Sequence, residues 1–218
     1  MQERVKIGNV EIIALLDMVP PPRRPKDFFP DVDLDLWKSY ENEVLDSGSI
    51  QLYYGCFLVR SSDQIIMVDT GIGPGPHVTR GGLEGKLLSE LSRVGIDPTQ
   101  VDSVIHSHLH FDHVGWNIDW SGETPRPYFP NARYLVPSVD WDHFTTPENL
   151  KVSPWIEENV TPLKSLSLMD LFEDGFNVTD EITAFMTPGH TPGHMVFLIN
   201  SAGEKGAILG DAIHSKVQ

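Results

Sequence analysis

Residues 106–113 read His-Ser-His-Leu-His-Phe-Asp-His, and no other part of the chain holds so many metal-ligand side chains. The stretch contains the spacing His108-x-His110-x-Asp112-His113. Two histidines that are two residues apart at the end of a predicted strand point to the same side, so both imidazoles can reach one metal. Asp112 and His113, in the turn that follows, project together toward a neighbouring position. Because imidazole nitrogen and carboxylate oxygen are zinc ligands, the spacing predicts a metal site.

Three other segments place polar side chains at the ends of predicted strands. Residues 187–194 read Thr-Pro-Gly-His-Thr-Pro-Gly-His, which holds His190 in a tight Pro-Gly turn. Residues 207–211 read Ala-Ile-Leu-Gly-Asp, an apolar strand that ends in the carboxylate of Asp211. Asp69-Thr70-Gly71 ends another predicted strand and opens a glycine-rich loop. The residues of chemical interest therefore fall where strands end.

The periodicity predicts many short strands and few helices. Strands are expected at Val5–Ile7, Val10–Leu16, Leu52–Val59, Gln64–Val68, Val101–Ser107, Ala132–Val136, Ile182–Thr187, Met195–Asn200 and Gly206–Leu209. Helices are expected over Leu83–Val94 with Gly95 as the cap, from Ser138 to Phe144, and from Pro154 onward. No internal repeat or long linker divides the chain, so one domain over residues 1–218 is expected.

Residues 17–36 have a different character from their surroundings. They include Pro20-Pro21-Pro22 and Phe28-Phe29-Pro30. Prolines lack the N–H donor that a strand ladder or a helix interior needs, so neither is expected here. The segment is either a plain connector or an arm laid over a pocket, and the sequence leaves both open.

The composition of the chain indicates which classes of partner and which cellular compartment to expect. Acidic residues outnumber basic residues 31 to 16 among 218, a net charge of −15 that repels phosphate backbones, so no nucleic-acid partner is expected. The one cysteine, Cys56, sits in an apolar strand and is expected to pack as a small buried hydrophobe. No apolar run approaches the roughly 18 residues of a membrane span, and no secretory signal is recognisable. We therefore expect a cytoplasmic protein without a membrane partner.

Together, the His-x-His-x-Asp-His motif, the His190 turn and the Asp211 strand resemble the metallo-β-lactamase fold superfamily, from about residue 5 to the end of the chain. The resemblance implies an α/β fold, an αββα sandwich of two mixed sheets flanked by helices. It implies two Zn²⁺ ions, with Fe or Mn as alternatives. The first metal would be bound by His108, His110 and His190, and the second by Asp112 and His113, with Asp211 bridging both.

The family pattern ends with a further histidine that has no counterpart here. The chain stops at Gln218, seven residues past Asp211. An incomplete chain, a ligand from another chain, and a weak second site would each explain this difference. We expect the first, that is, a domain that lacks its C-terminal segment.

Several polar and aromatic residues near the motifs lie outside the implied set of metal ligands. His106 and His194 are expected to be structural, with His194 supporting the turn by hydrogen bonds. Asp69 is expected to support the turn or a ligand rather than to bind metal. Trp116 either lines the mouth of the site or packs in the core, and His214 either faces the substrate or does not.

The resemblance also implies a reaction. Two metals bridged by Asp211 would share a water whose pKa zinc lowers toward about 7, and the resulting hydroxide would attack a carbonyl or phosphoryl centre. Asp112 would orient this nucleophile, accept its proton and act as the catalytic residue. No Ser-His-Asp set or phosphate-binding Gly-Lys loop competes with this interpretation, so we expect a metal-dependent hydrolase.

The substrate is expected to be a small molecule, most of all a lactone or ester such as an acyl-homoserine lactone. Residues 106–117 and 187–194 are similar to those of N-acyl-homoserine lactonases and phosphotriesterase-type members. Thioester hydrolysis of the glyoxalase II kind and phosphotriester hydrolysis remain alternatives. A di-iron oxidoreductase or a non-catalytic metal-binding relative is the alternative of another class. A homodimer is an open option.

Overall fold

Alternating apolar residues build the largest sheet of the protein, whose computed structural model describes residues 4–41 and 45–214. This sheet has seven strands in the order β1-β2-β5-β6-β7-β10-β11. They are β1 Arg4–Ile7, β2 Val10–Met18, β5 Tyr54–Ser61, β6 Gln64–Val68, β7 Ser103–Ile105, β10 Arg133–Pro137 and β11 Met169–Phe172. The strands from β1 to β6 pair antiparallel, and those from β6 to β11 pair parallel, so the sheet is mixed.

A second sheet and two small hairpins complete the strands. The second sheet is antiparallel and consists of β12 Asn177–Thr179, β13 Ile182–Met186, β14 Met195–Ser201 and β15 Glu204–Ile208. The hairpins pair β3 Leu45–Asp46 with β4 Ser49–Ile50, and β8 Ile118–Asp119 with β9 Arg126–Pro127.

The helices are short. They are α1 Pro25–Phe28, α2 Leu34–Trp37, α3 Leu87–Arg93, α4 Phe111–Val114, α5 Ser138–Phe144, α6 Pro147–Leu150, α7 Trp155–Asn159 and α8 Thr161–Ser165, with 3₁₀ turns at Lys38–Tyr40, Val78–Arg80 and Pro98–Gln100. In the part of the chain that the structure describes, no helix has the length and apolar character needed to cross a membrane.

The side-chain period of two along each strand divides the core into layers. On β5, Val59 packs with Phe197 and other residues of the second sheet, whereas its neighbour Leu58 faces the opposite side of the large sheet. That opposite side is covered by helices, with Leu87 and Leu91 of α3 fully buried against it. One apolar layer therefore lies between the two sheets and another lies between the large sheet and its helices, which confirms the predicted sandwich.

Several elements differ from the sequence prediction, and three of the differences have a local structural reason. Strand β7 ends at Ile105 rather than at Ser107, because the Ser107 N–H donates to the carboxylate of Asp69 and leaves the ladder. Helix α3 begins at Leu87 rather than at Leu83, because the preceding loop is held by Asp17, whose carboxylate accepts from the Leu87 N–H. Segment 17–36 contains two one-turn helices that were not expected. Pro25 is tolerated since it occupies the first helical position.

Candidate metal centre

The loop after β7 brings His108 and His110 together around a buried leucine. Leu109 is fully buried beside Val114, so the two flanking imidazoles turn the other way. His108 Nε2 lies 3.1 Å from His110 Nδ1. Both histidines were expected at a strand end, but they lie beyond it, and His110 is the N-cap of α4. The convergence therefore depends on the loop and on Leu109 rather than on strand alternation.

The turn between β13 and β14 adds the third imidazole. His190 Nε2 lies 2.9 Å from His110 Nδ1. One ring nitrogen from each of His108, His110 and His190 lies within 4.8 Å of the other two. These are the three residues that the resemblance implies for the first metal.

Asp211, in the turn after β15, lies between this group and the next. Its Oδ2 atom is 3.3 Å from His190 Nε2, 3.4 Å from His113 Nε2 and 3.9 Å from His108 Nε2. His108, His113 and Asp211 form a second group of ligand atoms within 4.8 Å of one another. Asp112 lies farther out, with its Oδ1 4.0 Å from His113 Nε2. One carboxylate oxygen is thus within reach of histidines from both groups.

His214 also approaches Asp211, which the sequence left open. Its Nε2 lies 3.0 Å from Asp211 Oδ2, and His190, Asp211 and His214 form a third group of ligand atoms. The ring of Phe28 packs edge-on against His214 at 5.6 Å between centroids. The His214 side chain faces the same cavity as the proposed ligands.

The donor set fits a metal ion. Burial lowers the pKa of His108 and lowers that of His110 to about 4, with the charge of nearby histidines acting in the same direction. Neutral imidazole is the form that binds metal. Three ring nitrogens that converge with one carboxylate are suitable ligands for zinc.

Asp69 contacts His113 at the ring nitrogen that faces away from Asp211. Its carboxylate accepts hydrogen bonds from the Ser107 N–H at 2.8 Å and the Ser107 hydroxyl at 2.7 Å, and it lies 3.0 Å from His113 Nδ1. A hydrogen bond at Nδ1 leaves Nε2 of His113 free to face Asp211. Asp69 is therefore a support of the ligand, as the sequence analysis expected.

Asp140, at the third position of α5, joins the two ligand loops. Its buried carboxylate accepts from the Leu109 N–H at 3.1 Å, the Thr191 hydroxyl at 2.8 Å and the Gly193 N–H at 2.6 Å. Burial raises its pKa, and these hydrogen bonds act in the opposite direction. Sequence reasoning missed this residue, since nothing local distinguishes it from the neighbouring Asp142.

Two further histidines are buried but stand outside the three ligand groups. His194 Nδ1 lies 2.8 Å from the Thr187 hydroxyl, and its Nε2 accepts from the Asp211 N–H at 3.0 Å. His106 Nε2 lies 3.1 Å from the Asn117 side-chain amide. Both are placed as structural supports, in agreement with expectation.

The tertiary structure also resolves the position of Trp116. Its indole N–H donates to buried Asp17 at 3.0 Å, and the side chain packs in the core beside Tyr128. Trp116 is absent from the walls of the cavity at the metal centre. The alternative that it lines the mouth of the site is wrong.

A cavity of about 290 Å³ opens beside the ligand groups. Its walls combine aromatic rings, two arginines and the proposed ligands, and they comprise Arg23, Phe28, Leu52, Tyr53, Tyr54, Gly55, Arg80, His110, Phe111, Asp112, His113, His190, Asp211 and His214. Arg23 and Phe28 belong to segment 17–36, which pairs with β4 through backbone hydrogen bonds between Arg23 and Ile50. Segment 17–36 is therefore an arm over the pocket and not a plain connector.

Comparison with known proteins agrees with this fold. A family model described as the metallo-beta-lactamase superfamily matches residues 53–218. An N-acyl homoserine lactonase from Bacillus sp is 28% identical over 193 residues, which are 80% of this chain and 70% of that protein. The crystal structure of hydrolase AbOPH, in the beta lactamase superfamily, has a TM-score of 0.80 at 26% identity and covers 98% of this chain and 74% of that one.

A solved lactonase adds a likeness of fold alone. AidC, described as a dizinc quorum-quenching lactonase, has a TM-score of 0.79 at 23% identity over 99% of this chain and 76% of that chain. The family model includes every residue of the three ligand groups. This chain therefore belongs to the metallo-beta-lactamase superfamily and is a hydrolase of that fold.

Proposed function

We propose that the protein is a zinc-dependent hydrolase of lactones or esters, with N-acyl homoserine lactones as its substrate class. The position of Asp211 Oδ2, within 3.9 Å of His108, His113 and His190, carries the proposal. One carboxylate oxygen shared by histidines of two groups suits a pair of metal ions rather than a single ion.

In this proposal each ligand has a separate role. His108, His110 and His190 would hold the first metal, Asp112 and His113 would hold the second, and Asp211 would contribute to both sites. When bound, zinc supplies a Lewis acid that polarises a carbonyl oxygen and lowers the pKa of water to about 7. Asp112, on the cavity wall, orients the attacking water and accepts its proton. Asp69 and Asp140 keep the ligand side chains in place before substrate arrives.

The cavity supports an acyl substrate. Phe28, Tyr54 and Phe111 present apolar ring surface beside the ligand groups, where an acyl chain can be removed from water. The similarity to a lactonase at 28% identity favours a cyclic ester over the thioester and phosphotriester alternatives.

A substrate panel tests the proposal. Zinc-loaded protein is assayed with N-acyl homoserine lactones of several chain lengths, an aryl ester, a thioester, a phosphotriester and a β-lactam. We expect the highest kcat/KM for a lactone or ester and loss of this activity in His190→Ala. His143→Ala is the matched control, because His143 lies at the surface, hydrogen-bonded to Asn149 and outside all three groups, and it should keep full activity.

Three outcomes would overturn the assignment. A clear preference for the thioester or the phosphotriester would replace the proposed substrate class with that alternative. Absence of turnover on every substrate, in protein whose metal content is verified by elemental analysis, would favour a non-catalytic relative. A di-iron signal in protein purified without added metal would instead favour redox chemistry.

A further inference from the structure

Arg80 presents a cation to the cavity beside the metal centre. The residue ends the 3₁₀ turn Val78–Arg80 and lines the same cavity as Asp112 and His190. Its guanidinium carbon lies 4.8 Å from the centroid of the Phe111 ring and 5.4 Å from that of Tyr54. The two rings hold the guanidinium in position, so that little side-chain freedom remains to be lost when a ligand binds.

The guanidinium makes no ion pair among residues 4–41 and 45–214, although its charge acts to lower the pKa of Asp112 on the same cavity wall. No carboxylate of these ranges lies within ion-pair distance of it, and its one hydrogen bond to a side chain runs from Nη1 to the Thr79 hydroxyl at 3.3 Å. The Nε–H is buried and also lacks an acceptor in this part of the chain.

A second cation supports the same interpretation. Arg23, on the arm over the pocket, lines the cavity and also has no ion pair among the described residues. Acidic residues outnumber basic residues 31 to 16 in this chain. Two arginines without ion pairs in one cavity therefore depart from the acidic character of the chain as a whole. Both cations attract an anionic ligand to a protein whose overall field repels it.

We propose that the substrate carries a carboxylate in addition to its hydrolysable ester or lactone bond, and that Arg80 binds this carboxylate. The inference rests on the proposed function for the site it describes, and it narrows the substrate class to lactones and esters, N-acyl homoserine lactones included, whose acyl part carries a carboxylate. A planar guanidinium matches a carboxylate by two parallel hydrogen bonds, which a lysine cannot reproduce. Arg23 strengthens binding by its charge. No covalent step involves either arginine, so Arg80 is a specificity-determining residue.

Binding and turnover of a matched pair test the inference in the zinc-loaded protein. The probes for calorimetry are 5-oxoheptanoic acid, a ketone analogue of glutaric acid monomethyl ester that cannot be hydrolysed, and its neutral counterpart, in which a primary amide replaces the carboxylate. The corresponding nitrophenyl esters measure kcat/KM. Arg80→Gln removes the charge, Arg80→Lys keeps it without the planar fork, and Arg93→Gln removes a charge elsewhere, where Arg93 pairs with Glu90 on α3. Thermal melts verify that each variant folds.

We expect the acid to bind more tightly than the amide in the wild type. Arg80→Gln should raise the Kd of the acid by about tenfold to a hundredfold and leave that of the amide unchanged. Arg80→Lys should give an intermediate value, and Arg93→Gln should match the wild type. The difference between acid and amide should shrink as salt is added.

Other results would overturn the inference. Equal binding of acid and amide to the wild type would remove the need for a carboxylate. An equal loss for both probes in Arg80→Gln would mean that Arg80 only packs the wall between Tyr54 and Phe111. If the acid binds through Arg80 but no ester or lactone is hydrolysed, the proposed function fails, and only the assignment of Arg80 as a carboxylate-binding residue stands. If lactones are hydrolysed without preference for a carboxylate, the inference alone fails.

Discussion

At the scale of single residues, Asp140 links the two loops that carry proposed ligands and is not itself a proposed ligand. We predict that Asp140→Asn weakens metal binding by about tenfold or more, because an amide presents its NH₂ group to backbone donors that need an acceptor. Stability should fall by about 1–3 kcal/mol for the same reason. Metal affinity is measured by competition with a chromophoric chelator, and stability by urea unfolding.

Asp142→Asn is the matched control for this prediction. Asp142 lies on the same helix but is exposed. The Asp142→Asn substitution should leave metal affinity and stability unchanged. If both variants behave alike, Asp140 does not position the ligand loops.

His190 tests the first metal site. We predict that His190→Ala loses about one metal equivalent, since it removes one of the three imidazoles whose nitrogens converge there. The measurement is elemental analysis of protein dialysed against a weak chelator. His143→Ala should retain the wild-type metal content, and unchanged content in His190→Ala would contradict the proposed ligand set.

At the scale of elements, α4 is docked closely against the loop that follows β6. Gly115, directly after α4, donates its N–H to the Gly71 carbonyl at 2.8 Å, and a Cβ at position 115 would clash with the backbone of Ile72 and Gly73. This contact sets how deeply α4 sits, and α4 carries Asp112 and His113. Backbone cannot move aside as a flexible side chain can.

We predict that Gly115→Ala destabilises the protein by about 3 kcal/mol or more, because the added methyl overpacks the contact between α4 and the loop. Gly122→Ala is the control, since its new methyl would meet only the end of the Arg126 side chain at 3.0 Å and should cost little. Urea unfolding compares the two. Equal stability of both variants would show that α4 can shift to make room for the added methyl group without loss of stability.

On the scale of the whole molecule, the candidate metal centre joins the two sheets. His108, His110 and His113 follow β7 of the seven-stranded sheet, whereas His190 and Asp211 follow β13 and β15 of the other. We predict that zinc at about 100 times its Kd stabilises the fold by about 2.7 kcal/mol, because the folded state alone brings these ligands together. Thermal melts with zinc and with chelator measure the difference.

His143→Ala should show the same zinc-dependent rise in Tm as the wild type, and His190→Ala should show a much smaller one. If zinc does not change the Tm of the wild type, the two sheets are not joined by metal.

The local pattern of the chain was sufficient for most of the strands and for the proposed ligands of the His-x-His-x-Asp-His motif, whereas the sandwich was expected from the family resemblance. Strand alternation depends on neighbours two positions apart, so residues such as Leu58 and Val59 could be assigned to opposite layers without a structure. The spacing of His108, His110, Asp112 and His113 is likewise local, and the likeness to a known superfamily supplied His190 and Asp211. These features are recognisable because each lies within a few residues of chain.

Contacts between distant segments were decided only by the tertiary structure. Asp140 meets Leu109 and Gly193, which are 31 and 53 residues away, and Trp116 meets Asp17 across 99 residues. The position of the arm and the unpaired guanidinium of Arg80 depend in the same way on which surfaces pack together. A buried carboxylate or a cation has no local signature, because its role is set by the partners that folding brings to it or withholds from it.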